Sequence, residues 1–354
     1  MAAQTDFRND RPPERLAFID ALRVAVIAFV IVHHAAQAYG PTGGFWPVHD
    51  RAQIDWFAPF YTANAAFGMG LMFLLAGYFV PSSYDRKGVS RFLKGRLLRV
   101  GVPLGAFVLL VHLPIVYLLS GKPAPPQFIA ALYERGWQPI YLHLWFIAHL
   151  LLYCLAYAIL RRISERRGGV PRKWPLPSHA AIMLFIAALA SITWLVRIRY
   201  PIDMWVPLLW VLPAEPAHLP QYVALFAVGA LACRGDWLRK LPTGIGLIWL
   251  AVGLIAGAGI YVSYGLDWWS AVMAPGGSGI PSLIRSFWET VIAVALSIGL
   301  ITAFRELFNR SSHLLEEMTM ASFGAYILHP AIVVALQAAI KDAEFGAFTK
   351  FGIV

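Results

Sequence analysis

Arg23 and His34 stand eleven residues apart in the first apolar stretch of the chain. In a helix, at ~100° and ~1.5 Å per residue, that separation is three turns plus ~20°, so both side chains share one face ~16 Å apart along the axis. A guanidinium holds anions through paired N–H groups, and an imidazole takes or gives a proton near neutral pH. Each residue also has a purely structural explanation: Arg23 can pair with Asp20 or extend to the membrane interface, and His34 can be a hydrogen-bonded core residue. His33 points ~100° away from its neighbour, so at most one of the two histidines faces the same pocket as Arg23, and His34 is taken as that one.

The elements that must position these residues follow from composition. The 354 residues are 59% hydrophobic and 14% charged, with a mean hydropathy of +0.62, too apolar for a soluble globular chain of this length. Nine apolar runs of about the length a bilayer requires fall near 16–39, 57–80, 100–119, 139–160, 178–196, 219–233, 242–264, 284–304 and 318–340. Lipid leaves backbone groups no water to bond, and unbroken runs such as Ala251–Ile260 argue for helices rather than barrel strands. The expectation is an all-α polytopic transmembrane bundle of nine spans, with a cytoplasmic tail at 1–15 and a single membrane domain at 16–354. The last residues, Gly346 to Val354, read as the start of a tenth span in which the sequence stops.

With the N-terminus in the cytoplasm, Arg86, Lys87, Arg91, Lys94, Arg96 and Arg99 share one inner loop and Arg161, Arg162, Arg166, Arg167, Arg172 and Lys173 the next. This asymmetry favours that orientation, in a bacterial inner membrane. The formal charge of +10 is then a topology signal and a means of contacting anionic lipid, and a nucleic-acid role is set aside. Only Cys154 and Cys233 are present, both toward the inner half, which argues against a disulfide framework or a cysteine metal site. The first run lacks a small-residue cleavage site and reads as a retained helix. Trp46, Trp56, Trp137, Trp205, Trp268 and Trp269 gather in the outer loops and read as interface residues first, substrate contacts second.

This topology places His143, Asn64 and Glu289 at a depth similar to that of His34. Ionisable groups inside the bilayer are costly and therefore functional candidates. Glu289 has a competing explanation, since Arg285 lies four residues before it and can neutralise it. Ser322, Tyr326 and His329 follow i, i+4, i+7 spacing and form a polar stripe facing the bundle interior, for which helix–helix hydrogen bonding is the alternative.

The segment Phe18-Ile-Asp-Ala-Leu-Arg23, ten intervening residues and His34 together resemble the opening of the acyltransferase-3 family of membrane-bound acyltransferases. Leu71-Met-Phe-Leu-Leu-Ala-Gly-Tyr78, Arg96-Leu-Leu-Arg99, His143-Leu-Trp-Phe146 and Ser322-Phe-Gly-Ala-Tyr-Ile-Leu-His329 resemble later landmarks of that family in the right order. The resemblance covers most of the chain. It is nearest to the branch of the glucan-modifying succinyltransferase, without the SGNH domain that some members append. Ala76 stands where serine is common, and the family usually has a tenth helix after the Ser322–His329 segment, of which Gly346 to Val354 are expected to be the start.

The resemblance implies transfer of an acyl group, such as acetyl or succinyl, from cytoplasmic acyl-CoA to a hydroxyl of an envelope glycan or other acceptor. No permanently bound cofactor or metal is implied. Arg96 and Arg99, with Arg91 and Lys94, would hold the donor's phosphates, Arg23 would meet the donor where it enters the bundle, and His34 would be the general base, oriented by Glu289 or His143. An acyl-histidine intermediate and a relay through Ser322 are both open at this point. A different class of protein, a transporter or flippase for a lipid-linked or small anionic substrate, would also use a polar path through a basic bundle, although inverted repeats and paired broken helices are not evident. A structural scaffold fits poorly with so many ionisable groups at one depth.

Overall fold

The computed structural model of the protein describes residues 15–41, 46–266 and 268–354. Of the expected tail at 1–15 only Arg15 is among them, so Arg8 and Arg11 lie outside the described residues, as does the stretch 42–45 of the first outer loop.

The nine expected spans all fall on helices. They are α1 (Ala17–Ala36), α2 (Phe57–Arg96) and α3 (97–119), then, after the short α4 (Pro125–Glu134), α5 (Trp145–Arg166) and α6 (His179–Arg199). The series continues with α7 (Leu219–Gly235), α8 (Thr243–Gly265), α9 (Ile280–Leu307) and α10 (His313–Ile340). A last short helix, α11 (Ala347–Ile353), occupies the segment read as the opening of a tenth span. Among the described residues, seven helical stretches are long and apolar enough to cross a membrane, and one of these, Phe57–Leu118, is 62 residues long. At ~1.5 Å per residue it provides for two crossings of a ~30 Å core. With the shorter apolar α7, this makes a multi-pass helical bundle.

Two features depart from the expected pattern. The inner loop drawn through Arg86–Arg99 is helical, α2 running into the π-helical turn Leu97–Gly101 at the head of α3. The interruption sits at Gly88, whose φ of 73° and ψ of 164° suit a residue without a side chain. A two-stranded antiparallel ribbon, β1 (Val206–Leu208) and β2 (Leu212–Ala214), folds between α6 and α7 with Pro207 opposite Pro213. No alternation or Asn-Gly turn announces it, because Leu209 and Trp210 make its turn at positive φ.

Close backbone approach sets the packing. A side chain on Gly77 would lie 2.2 Å from the Phe226 carbonyl oxygen, and one on Gly229 would lie 2.1 Å from that of Leu74, so α2 and α7 touch along their main chains. Without a hydrophobic force between helices in lipid, such small-residue contacts carry association. On α8 and α9, Gly253 meets Leu296 and Gly299 meets Leu250 in the same way. Phe18, Ile19 and Leu22 of α1 pack into a core with Leu71 and Leu75 of α2 and Ile292 of α9. A second core joins Phe73, Phe146, Tyr153, Tyr222 and Tyr326. The outer surfaces are apolar, as at Leu184 (72% exposed) and Ile255 (73% exposed), which suits them to lipid.

Candidate active site

The last turn of α1 carries His33 and His34. The His34 ring stacks on Trp46 (centroids 5.1 Å apart, 11° between planes) and lies beside His329 of α10, its Nδ1 2.7 Å from His329 Nε2. The protonation pattern of this pair follows from α10 itself. Pro330 has no N–H and leaves the helix with a gap in its hydrogen-bond ladder; the carbonyl four residues before it, that of Tyr326, loses its helical partner. His329 Nδ1 lies 2.8 Å from that oxygen. A carbonyl oxygen only accepts, so His329 Nδ1 bears the proton. In a neutral pair His329 Nε2 is then an acceptor, His34 Nδ1 donates to it, and His34 Nε2 carries a lone pair with no hydrogen bond among the described residues.

Gln337, two turns along α10, fixes the end of α1. Its amide donates to the carbonyls of His34 (3.3 Å) and Ala35 (3.0 Å), and its oxygen accepts from Trp46 Nε1 (2.7 Å). Tyr61 adds a hydrogen bond to the Ala36 carbonyl at 2.6 Å. These bonds satisfy carbonyls that every helix C-terminus leaves open. His33 turns elsewhere: its Nε2 is 2.9 Å from the Gln37 amide, and its ring packs edge-on to Tyr61.

His143 enters at the head of α5 through the 3-10 turn Leu142–Leu144, where Leu142 adopts φ 47° and ψ −126°. Its carbonyl accepts the Tyr326 hydroxyl. Its ring stands edge-on to those of His34 (6.5 Å), His329 (5.1 Å), Tyr326 (5.3 Å) and His112 (6.2 Å). Both ring nitrogens are buried without a hydrogen-bond partner. The carbonyls of Tyr326 and Ile327 lie within electrostatic range but do not meet hydrogen-bond geometry.

The structure thus brings His34, His143, Tyr326 and His329 together. Ser322, one turn before Tyr326, is buried and donates to the Thr319 carbonyl of its own helix at 2.8 Å. Asn64 is buried in α2, where Gly68 leaves room for its side-chain oxygen. Arg23 lies 3.9 Å from Asp20, whose closer partner is Arg15 at 2.6 Å. Arg96 is near enough to Arg23 for the two guanidiniums to repel, and it also covers the Phe92 ring at 5.4 Å. Arg91, Lys94 and Arg99 are exposed on the same helical run.

Glu289 is a correction. It belongs to a separate buried ionic network, where it binds the wholly buried Arg197 of α6, accepts from Arg285 Nε at 2.9 Å and lies 3.6 Å from His218 Nε2. Its helix α9 turns this face toward α6, where Arg197 is the partner it meets. Arg197 also reaches Ser286 and the Ala217 carbonyl. Glu215 binds His218 at 2.8 Å. Burial opposes a charged His218, but the carboxylates of Glu215 and Glu289 outweigh it and raise the imidazole to about 9.

Trp46 is a second correction, for it is buried on His34 rather than set in an interface belt; Trp56 and Trp268 are exposed. The loop carrying Trp46 is clasped by α11, with Lys350 Nζ 2.8 and 3.0 Å from the Asp50 carboxylate. Gln337, His112 and Lys350 were not among the expected site residues. Gln337 is a lone amide in an apolar run and could have been singled out on that ground, whereas nothing in sequence links Trp46 to His34.

Fold and site together define a multi-pass membrane protein with an imidazole centre buried between α1, α5 and α10. The chain belongs to the acyltransferase-3 family: the model of that family, described as an acyltransferase domain, matches residues 16–354. It is 28% identical over 195 residues to glucans biosynthesis protein C of Salmonella schwarzengrund (strain CVM19633), covering 53% of this chain and 48% of the relative. It is 26% identical over 232 residues to the protein of the same name from Salmonella heidelberg (strain SL476), covering 62% and 59% respectively. The matched region is thus about half the length of these curated relatives. No solved structure matches the chain.

Proposed function

We propose that the protein is an O-acyltransferase that moves an acyl group from acyl-CoA to a hydroxyl of an envelope glycan, with His34 as general base. The observation that carries this reading is the chain of hydrogen bonds from the Tyr326 carbonyl through His329 to His34, which leaves the lone pair on His34 Nε2. Family membership supplies the reaction class, and the name of the relatives supports a glucan acceptor.

The acceptor hydroxyl gives its proton to His34 Nε2 as its oxygen attacks the thioester carbon. The C–S bond then breaks, and the proton passes from His34 to the leaving thiolate. Base catalysis of this kind contributes ~10²–10⁴-fold. Arg23 and Arg96, close enough to repel each other, are suited to an anion between them, such as the donor's phosphates, while Arg91, Lys94 and Arg99 add positive charge nearby. The ~16 Å climb from Arg23 to His34 suits an extended thioester arm. With the basic end in the cytoplasm of a bacterial inner membrane, the donor enters from inside and the glycan meets the histidine centre from outside.

Purified protein given labelled acetyl-CoA or succinyl-CoA and glucan oligosaccharides should label the acceptor. His34→Ala should cut the rate by at least ~10²-fold with donor binding retained, and Arg23→Ala should weaken donor binding. A His34→Ala protein transferring at the wild-type rate overturns the assignment of the base, and unaltered donor affinity in Arg23→Ala overturns that of Arg23.

A further inference from the structure

The donors around His34 are nearly all committed. His34 Nδ1–H points to His329, His329 Nδ1–H to the Tyr326 carbonyl, the Tyr326 hydroxyl to the His143 carbonyl, and Trp46 Nε1–H to Gln337. The Gln337 amide is spent on the carbonyls of His34 and Ala35, and His112 Nδ1 lies 2.9 Å from the Ile140 carbonyl. Among the described residues of this cluster two rings have an N–H still to give: His33, whose Nε2 meets the Gln37 amide and whose ring turns toward Tyr61, and His143, whose ring faces both His34 and His329. His143 is 8% exposed, and neither of its nitrogens has a partner.

An unpaired buried polar group is a standing cost to the fold, retained where a ligand or reaction uses it. The backbone beside His143 carries a second cost: Leu142, a residue with a side chain, is held at φ 47°. Such conformations persist where the surroundings over-determine them, often at functional sites. His143 is not needed to orient His34, whose Nδ1 is held by His329 and whose ring stacks on Trp46.

We propose that His143 touches the substrate directly and donates its N–H to the oxyanion of the tetrahedral intermediate; the proposal rests on the acyl-transfer reading above. As the acceptor oxygen bonds to the thioester carbon, its proton goes to His34 Nε2. The carbonyl π pair moves onto oxygen, and the resulting oxyanion accepts from His143. Collapse restores the C=O bond, breaks the C–S bond and sends the His34 proton to the thiolate. His34 and His143 thereby divide the work: a lone pair for the nucleophile and an N–H for the electrophile, set edge-on 6.5 Å apart between ring centroids.

The test compares His143→Phe, His143→Leu and His143→Gln with wild type, measuring kcat, donor KM and Tm. Losing an oxyanion donor costs ~10²–10³-fold in kcat. His143→Phe and His143→Leu should show that loss with donor KM within about twofold of wild type, as expected when an interaction is made only in the transition state. His143→Gln keeps an N–H and should recover at least about tenfold over His143→Leu. Tm of His143→Phe should match or exceed wild type, since two unpaired nitrogens are replaced among aromatic rings. Wild-type kcat in His143→Phe, or equal losses in the Gln and Leu variants, overturns the role of His143 alone. Failure of wild type to transfer from any acyl-CoA overturns the functional reading and this step with it.

Discussion

At the residue scale, charge state is decided by what each imidazole faces. His34 and His329 face a carbonyl freed by Pro330 and each other, an arrangement that fixes a tautomer without any carboxylate. His218 faces Glu215, Glu289 and Arg197 and stacks on Tyr222, and it is raised to about 9 because the carboxylates overcome burial. A group whose pKa is higher folded than unfolded stabilises fully below the unfolded value, 6.5 for this imidazole, and loses that contribution as pH rises through the folded value. Thermal unfolding in detergent should therefore show stability falling between pH 6.5 and about 9, by up to about 3 kcal/mol, and His218→Gln should flatten that slope. An unchanged slope in the variant refutes the assignment. Neither Glu215 nor His218 stands out in sequence, because the contact of His218 with Glu289 crosses from the start of α7 to α9.

At the element scale, the seven-residue α11 acts through one side chain. Lys350 is almost fully buried on Asp50, also reaches the Lys341 carbonyl, and so fastens the loop that carries Trp46 over His34. Removing one partner of a buried ion pair leaves the other charge unpaired, typically a loss of about 3–5 kcal/mol. Lys350→Ala should lower stability on that order and speed hydrogen exchange in residues 46–56, and acyl transfer should fall as Trp46 loosens. Wild-type protection of 46–56 in Lys350→Ala argues that the clasp does not hold the loop. The glycine contacts between α2 and α7 work differently, by bringing main chains together at Gly77 and Gly229.

At the scale of the whole molecule, the bundle is asymmetric. One end of α1 lies near Arg15, Arg23 and Arg96, and the other holds the histidine centre beneath Trp46 and Gln337. The proposed function sets the first end in the cytoplasm, the orientation that the positive-inside rule favours. Single cysteines introduced in a background lacking Cys154 and Cys233 test this. An impermeant thiol reagent on intact cells should label a cysteine at Lys122 and spare one at Arg167. Labelling at Arg167 would reverse the orientation and place the donor site on the wrong face for cytoplasmic acyl-CoA.

The sequence by itself determined the helical bundle, the nine spans and the chemical character of α1, α5 and α10. These depend on local properties: an apolar run in lipid must bond its own backbone, and residues three or four apart share a face. His34, His143, Tyr326 and His329 were therefore legible as candidates on their own helices. Only the tertiary structure decided their partners. That Glu289 meets Arg197 and not His34, that Trp46 leaves the interface to stack on His34, and that Lys350 closes on Asp50 across 300 residues depend on which faces of distant helices meet. Spacing along one chain segment carries no record of that choice, and the tautomer of His34 likewise follows from a carbonyl on another helix.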